Sequence, residues 1–272
     1  MRATRFVDPE GRVRTGRLED SSVVDAGPEP FVPSEEGWAQ ITAASGAEHA
    51  LDAVRFVAPV TPAKVIGIGL NYRDHAEESG LGIPDVPALF AIWSSALVGD
   101  GATIVIPPGE TRPDYEGELA LVLGRTVKDA TLEEAAEAIG GYAAFDDVSG
   151  RRGQLETPLR QFTFGKSFDT FAPLGAISPA AGVDLGALGI RTTVSGEVLQ
   201  ESNTRNLIFG PRELVAYCST GTTLEAGTVI ATGTPAGVGD AREPKRYLVD
   251  GDVVEVWVEG AATLRNPVEL AR

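Results

Sequence analysis

Glu116 and Glu118 stand two residues apart at the head of the apolar run LALVLG. In an extended strand alternate side chains leave from the same face, so this spacing sets two carboxylates side by side. Their mutual repulsion is relieved by a cation, or both simply face water on a half-exposed strand. A second acidic pair, Asp146-Asp147, follows the apolar run GYAAF. Consecutive strand residues point to opposite faces, so only one of that pair can join the first site. Carboxylates without His or Cys suit a hard divalent ion, Mg²⁺, Mn²⁺ or Ca²⁺, and disfavour zinc and copper. His75 and Glu78 lie three residues apart in NYRDHAEESG. On a short helix they share one face, where the carboxylate can fix the imidazole tautomer and the ring can act as a general base; the alternative is a solvated pair. His49, in GAEHALD, has only Glu48 and Asp52 nearby and reads as surface.

Lys166, flanked by Gly165 and aromatic residues in FTFGKSFDT, is placed to meet an anion, although most lysines are merely solvated. The loop Gly233-Thr234-Pro235-Ala236-Gly237-Val238-Gly239 can present backbone N–H groups and a hydroxyl to a carboxylate or phosphate. It lacks the Lys-Ser/Thr of a P-loop. Gly67-Ile68-Gly69 has Tyr72 where a dinucleotide fingerprint has its third glycine, so neither nucleotide nor nicotinamide binding is expected.

These residues must be positioned by a strand-rich framework. Residues 1 to about 55 read as short strands and turns (RATRFV, RVRTGRLE, SSVVDAG), and VAPVTPAK connects them to the main body. The body opens with the buried strand KVIGIGL and a short helix ending at Gly80. The strands ALFAIW, TIVIP, GELALVLG, GYAAFDDVS, GAISP, IRTTVSG, TVIATG, YLVDGDVVEVWVEG and ATLRN follow. Two helices interrupt them, one with a Thr131/Glu134 capping box and one starting at Pro211. Strands outnumber helices too heavily for a doubly wound sheet, which leaves a mixed α+β, β-rich fold.

The 272 residues carry 23 Lys+Arg against 39 Asp+Glu, a net charge of −16, on an ordinary globular composition. That balance repels phosphate backbones and anionic lipid, so no nucleic-acid or membrane partner is expected. Cys218 is the only cysteine, which excludes an internal disulfide and a cysteine-based zinc site. The charged N-terminus reads as neither signal peptide nor membrane span, and the cytoplasm is the expected compartment.

The segments GIGLNYRDHAEE, PALFAIWSSALVG, DYEGELALVLG, GYAAFDDVSGRRGQ, GKSFDTFAPLGA, GEVLQESNTRNLIFG, ATGTPAGVG and GDVVEVWVEG occur in that order. Together, over residues 64 to 268, they resemble the fumarylacetoacetate hydrolase family, in particular its small acylpyruvate hydrolase and 2-hydroxyhepta-2,4-diene-1,7-dioate isomerase-like members. The resemblance implies a β-roll catalytic domain over residues 59–272 behind a small N-terminal β-rich domain over 1–58, assembled as a homodimer. It implies Mg²⁺ or Mn²⁺, with Ca²⁺ also admissible, held by Glu116, Glu118 and Asp147, with Asp146 pointing away. It places Arg151, Gln154, Lys166 and Thr234 at the oxo-acid end of the substrate, Lys166 and Gln154 as catalytic groups that stabilise oxyanion charge. His75 and Glu78 match N-Y-x-x-H-x-x-E, implying a catalytic dyad on a lid over residues 75–88.

Two positions depart from the family pattern. Arg152 replaces an acid beside the site, and Ile92 replaces a common lysine, which leaves the substrate's identity open. The implied reaction is hydrolytic C–C cleavage of an acylpyruvate-type 2-oxo or 2,4-dioxo acid through a metal-bound enolate. Decarboxylation of an oxaloacetate-like acid and isomerisation of a 2-hydroxy-dienedioate use the same apparatus. A non-catalytic dicarboxylate-binding protein is the contrasting reading, and it predicts a broken ligand set.

Overall fold

The computed structural model describes residues 1–78, 80 and 82–271. Ser79 and Leu81, within the expected lid stretch, lie outside the described residues.

The first fifty-seven residues form a five-stranded antiparallel sheet, ordered Glu48–Ala50, Ser22–Gly27, Val13–Leu18, Arg2–Val7, Arg55–Val57. A helix not expected from the sequence, Glu35–Thr42, crosses this region, with the Ser34 hydroxyl accepting from Gly37 N at 3.1 Å as its N-cap. The unit is tied firmly to the body. Ala3 exchanges backbone hydrogen bonds with Ile177, and Trp38 Nε1 donates to Gly140 O at 2.9 Å. Ala3, Phe31 and Ile41 share one apolar core with Val65, Ala120 and Phe145 of the body.

The body contains a six-stranded sheet ordered Ser178–Pro179, Ile139–Asp146, Gly117–Leu123, Val229–Ala231, Val65–Gly69, Ala88–Ile92. Only the pairing of Val229–Ala231 with Val65–Gly69 is parallel in it. Gly117–Leu123 is buried at every position. Its leucines 119, 121 and 123 enter one core, and Ala120 and Val122 enter the other. An apolar run without polar alternation therefore becomes the central strand, covered on both faces.

A second, five-stranded sheet, ordered Glu197–Asn203, Gly189–Val194, Val253–Val258, Leu264–Leu270, Ile104–Ile106, packs against the leucine face. Gly189–Val194 and Val253–Val258 alternate half-buried with buried residues, the pattern of strands with one wet face. The capped helix Leu132–Ala138 and the proline-started helix Pro211–Ser219 form where expected.

One expectation needs correction, and one strand and two short helices were not expected. The strand Glu197–Asn203 (EVLQESN) is too polar to be legible by alternation. Within YLVDGDVVEVWVEG only Val253–Val258 is strand, because Asp252 accepts from Arg246, Val249 and Ser195 and closes a turn there. Two helices of five residues each, Arg151–Leu155 and Phe162–Lys166, occupy a stretch with no legible periodicity, being shorter than two turns.

Candidate active site

The central hairpin ends in a cluster of carboxylates. Gly117 pairs with Asp146 at the open end of the ladder, Asp147 N donates to Glu116 O at 2.9 Å, and Glu116 N donates to Asp146 Oδ1 at 2.9 Å. This corner turns Glu116, Glu118 and Asp147 inward, and each offers an oxygen within 4.8 Å of the others. All three are buried. Asp146 instead braces the Glu116 backbone, outside the trio.

Two cations face this trio. Lys166 Nζ lies 2.6 Å from Glu116 Oε2 and 2.7 Å from Asp147 Oδ2, and Arg151 Nη2 lies 2.5 Å from Glu116 Oε1. Arg151 also bonds Asp114 Oδ2 through Nε and Nη2, and Gln154 Oε1 through Nη1. The two short helices thus bring Arg151, Gln154 and Lys166 together above the carboxylates.

The electrostatics divide the carboxylates. Burial opposes ionisation of Glu116, but Lys166 and Arg151 outweigh it and hold the group down to about 2. Burial pushes Asp147 up to about 6, with Glu116 adding repulsion against the pull of Lys166. Glu118 is raised well above the ordinary range by burial and by Asp147. Burial and the neighbouring Asp147 raise Asp146 to about 7. Lys166 stays protonated because Asp147 and Glu116 overcome the desolvation that would lower it.

Buried carboxylates this close raise one another's pKa unless a cation joins them. Asp147 Oδ1 is buried without a hydrogen-bond partner. An all-oxygen donor set with an orphaned buried oxygen fits a hard divalent cation, held by Glu116, Glu118 and Asp147.

His75 and Glu78 lie on the helix Arg73–Glu78, with Nδ1 3.2 Å from Glu78 Oε2. Both Glu78 oxygens accept from Gly237 N, at 3.0 and 3.2 Å. Asp74 Oδ2 accepts from the Ser202 hydroxyl at 2.7 Å and pins the helix to the second sheet. The glycine loop joins the two groups, with Gly237 N on Glu78 of the dyad and Gly233 N on Glu118 of the trio.

Thr234 is buried, with its hydroxyl donating to Gly117 O at 3.0 Å and accepting from Gln200 Nε2 at 2.7 Å. Gln200 Oε1 in turn accepts from Gly117 N at 2.9 Å, so the two residues clamp the peptide between the two glutamates. Gly233 N donates to Glu118 Oε2 at 2.7 Å. The glycine loop thus gives its N–H groups to Glu118 and Glu78.

Sequence reasoning missed Gln200, Phe90 and the role of Asp114. The Phe90 ring lies over Gly67, where an added Cβ would come within 2.2 Å of it, and its centroid is 5.5 Å from Lys166 Nζ. His49, expected on the surface, is half-buried against the Phe6 ring, centroids 5.6 Å apart. Arg152 is half-exposed and pairs with Glu156 at 3.0 Å, and Ile92 is a core residue. A cleft of about 1270 Å³ lined by Pro33, Trp38, Arg125, Pro179 and Arg212 contains none of the site residues. Among the described residues no helix is long and apolar enough to cross a membrane.

The family described as fumarylacetoacetate (FAA) hydrolase C-terminal matches residues 64–269. An uncharacterized protein of Archaeoglobus fulgidus is 48% identical over 81% of this chain and 84% of its own length. A mitochondrial oxaloacetate tautomerase of Xenopus laevis is 39% identical over 79% of this chain and 69% of its own. The crystal structure of a 5-carboxymethyl-2-hydroxymuconate delta-isomerase from Mycobacterium smegmatis superposes with a TM-score of 0.82 at 36% identity, covering all of both chains. With the matched region reaching from the Val65–Gly69 strand to the C-terminal strand, the chain belongs to the fumarylacetoacetate hydrolase family.

Proposed function

We propose that the chain is a divalent-metal-dependent enzyme that moves a proton at the carbon beside the 2-oxo group of a small anionic oxo acid, interconverting its keto and enol forms. The observation that carries this reading is the His75–Glu78 pair joined through one glycine loop to a buried carboxylate trio. When bound by Glu116, Glu118 and Asp147, a Mg²⁺ or Mn²⁺ ion supplies Lewis-acid polarisation of the oxo group. With His75 Nδ1 engaged by Glu78, Nε2 is the ring atom left to take the proton. Lys166 and Arg151 balance the acid's negative charge inside an otherwise acidic protein, and Gln154 orients the guanidinium. Thr234 acts through Gly117 on the glutamates that flank it.

Two relatives support proton relocation: one is named an oxaloacetate tautomerase and the other a delta-isomerase. The family's own description names a hydrolase, which supports C–C hydrolysis of an acylpyruvate as the second reading. There His75 Nε2 would deprotonate water for attack on the distal carbonyl. A binding protein without activity would have no need of the dyad and lysine together. Assembly as a homodimer, checked by sedimentation, and a cytoplasmic location are part of this reading.

The test is purified protein with Mg²⁺ or Mn²⁺ against oxaloacetate, acetylpyruvate, fumarylpyruvate and a 2-hydroxy-dienedioate, with and without EDTA. The reading expects keto–enol interconversion of oxaloacetate that EDTA abolishes. Pyruvate release from acetylpyruvate, or CO₂ release from oxaloacetate, as the faster reaction would replace it with hydrolysis or decarboxylation.

A further inference from the structure

Asp114 precedes the metal-site glutamates in sequence and is wholly buried. Oδ1 accepts from Tyr115 N at 3.0 Å and from Gly239 N at 2.7 Å. Oδ2 accepts from Asp240 N at 3.0 Å and from Arg151 Nε and Nη2 at 2.9 and 2.8 Å. One carboxylate therefore joins the arginine to the far end of the glycine loop.

The donor count on Arg151 shows what this achieves. A guanidinium has five N–H groups in a rigid plane. Nε and one Nη2 hydrogen go to Asp114, the other Nη2 hydrogen goes to Glu116, and one Nη1 hydrogen goes to Gln154. The plane is fixed on two edges, and one Nη1 hydrogen has no partner among the described residues. Without Asp114, Arg151 would have Glu116 as its only anionic contact, an oxygen donor the metal site also needs.

The loop is fixed by the same group. A Cβ at Gly239 would sit 2.6 Å from Asp114 Oδ1 and 2.0 Å from Arg246 O, so only glycine brings this N–H to the carboxylate. From that anchor the loop runs back to Gly237 N on Glu78 and Gly233 N on Glu118.

We propose that Asp114 is a positioning residue that aims Arg151 at the substrate's carboxylate and sets the Gly233–Asp240 loop against the dyad. The proposal rests on the reading of Arg151 as a substrate-binding group.

The experiment compares R151A, R151K, D114N and R151A/D114N in the metal-loaded enzyme, with oxaloacetate as substrate. KM, kcat, thermal midpoint and rescue by added guanidinium chloride are measured. R151A is expected to raise KM about tenfold or more, and D114N to raise it comparably with kcat changed by less than about threefold. Guanidinium restores part of the activity of R151A but not of R151A/D114N, a difference a merely structural role of Asp114 would not produce. R151K, which leaves Asp114 intact, behaves as R151A because an ammonium cannot hold two edges.

A folded D114N with the wild-type KM would overturn the proposal, as would equal guanidinium rescue in both backgrounds. If D114N does not fold, a wild-type KM in R151K overturns it, since a point charge would then suffice without the fork. An unchanged KM in R151A would instead sink the reading of Arg151 and the proposal with it.

Discussion

The carboxylate pocket and the His75 helix meet at one site but are held by different means. In the pocket, Lys166 is 3% exposed and bridges two buried acids, while Arg151 bridges two more contacts on Asp114 and Glu116. Behind them stands a strand buried along its whole length. The helix Arg73–Glu78 is six residues long, and its His75 and Glu78 side chains are 16% and 25% exposed. It is pinned by Glu78 to Gly237 and by Asp74 to Ser202. Beyond it, Ile83 and Val86 are more than half exposed. Opposed buried charges demand a rigid setting, because each lost partner strands a charge away from water. A base that admits and releases substrate needs only a few local bonds, so on the proposed reading this helix is the part that would move.

The largest effect should come from the pocket. Glu116→Ala or Glu118→Ala should lower kcat/KM by about a thousandfold or more and abolish Mn²⁺ binding by titration calorimetry. A variant that kept full activity would break the comparison at its rigid side. His75→Ala should cost about 10²–10⁴ in kcat while leaving Mn²⁺ affinity unchanged, and weaker Mn²⁺ binding in that variant would erase the division of labour.

The pocket should also leave a signature in stability. Burial raises Asp147 to about 6 and Asp146 to about 7, above their ordinary 3.8, and Glu118 shifts the same way. The metal-free folded state therefore holds more protons than the unfolded chain from about pH 4 to 7, and its stability falls as pH rises through that window. Glu116, held low, acts with the opposite sign, stabilising above the unfolded value and losing that contribution only in acid. The thermal midpoint without metal should fall from pH 5 to pH 7.5, and saturating Mg²⁺ should flatten or reverse the slope. A midpoint that rose over that range without metal would contradict the burial account.

The smallest effect should come from the wall between the two regions. Gly67→Ala should displace the Phe90 ring from Lys166 and destabilise the fold by about 1–3 kcal/mol, read by chemical denaturation, with a modest loss of activity.

The two regions were not equally legible in the sequence. Glu116 and Glu118, with one of Asp146 and Asp147, follow from period-two alternation at the ends of two apolar strands that prove to be paired, and the family resemblance selects Asp147. His75 and Glu78 follow from a spacing of three within one helical turn. Arg151 and Gln154 came only from family resemblance, and Lys166, singled out by its glycine and aromatic neighbours, gained its role there, because their helices are too short to show a period. Asp114 was in plain view, but its partners Arg151 and Gly239 lie 37 and 125 residues away, a proximity no local pattern encodes. Gln200 was hidden for a related reason, since its polar strand gains its place only by pairing with Gly189–Val194.

The central claim is that His75 moves a proton on an oxo acid held by the carboxylate pocket. Deuterium incorporation at C3 of oxaloacetate, followed by NMR in D₂O with Mg²⁺ for the wild type and His75→Ala, tests it most directly. The account predicts catalysed exchange in the wild type and its loss in the variant at equal Mg²⁺ occupancy. Exchange at the wild-type rate in His75→Ala, or none above background in the wild type, would contradict it.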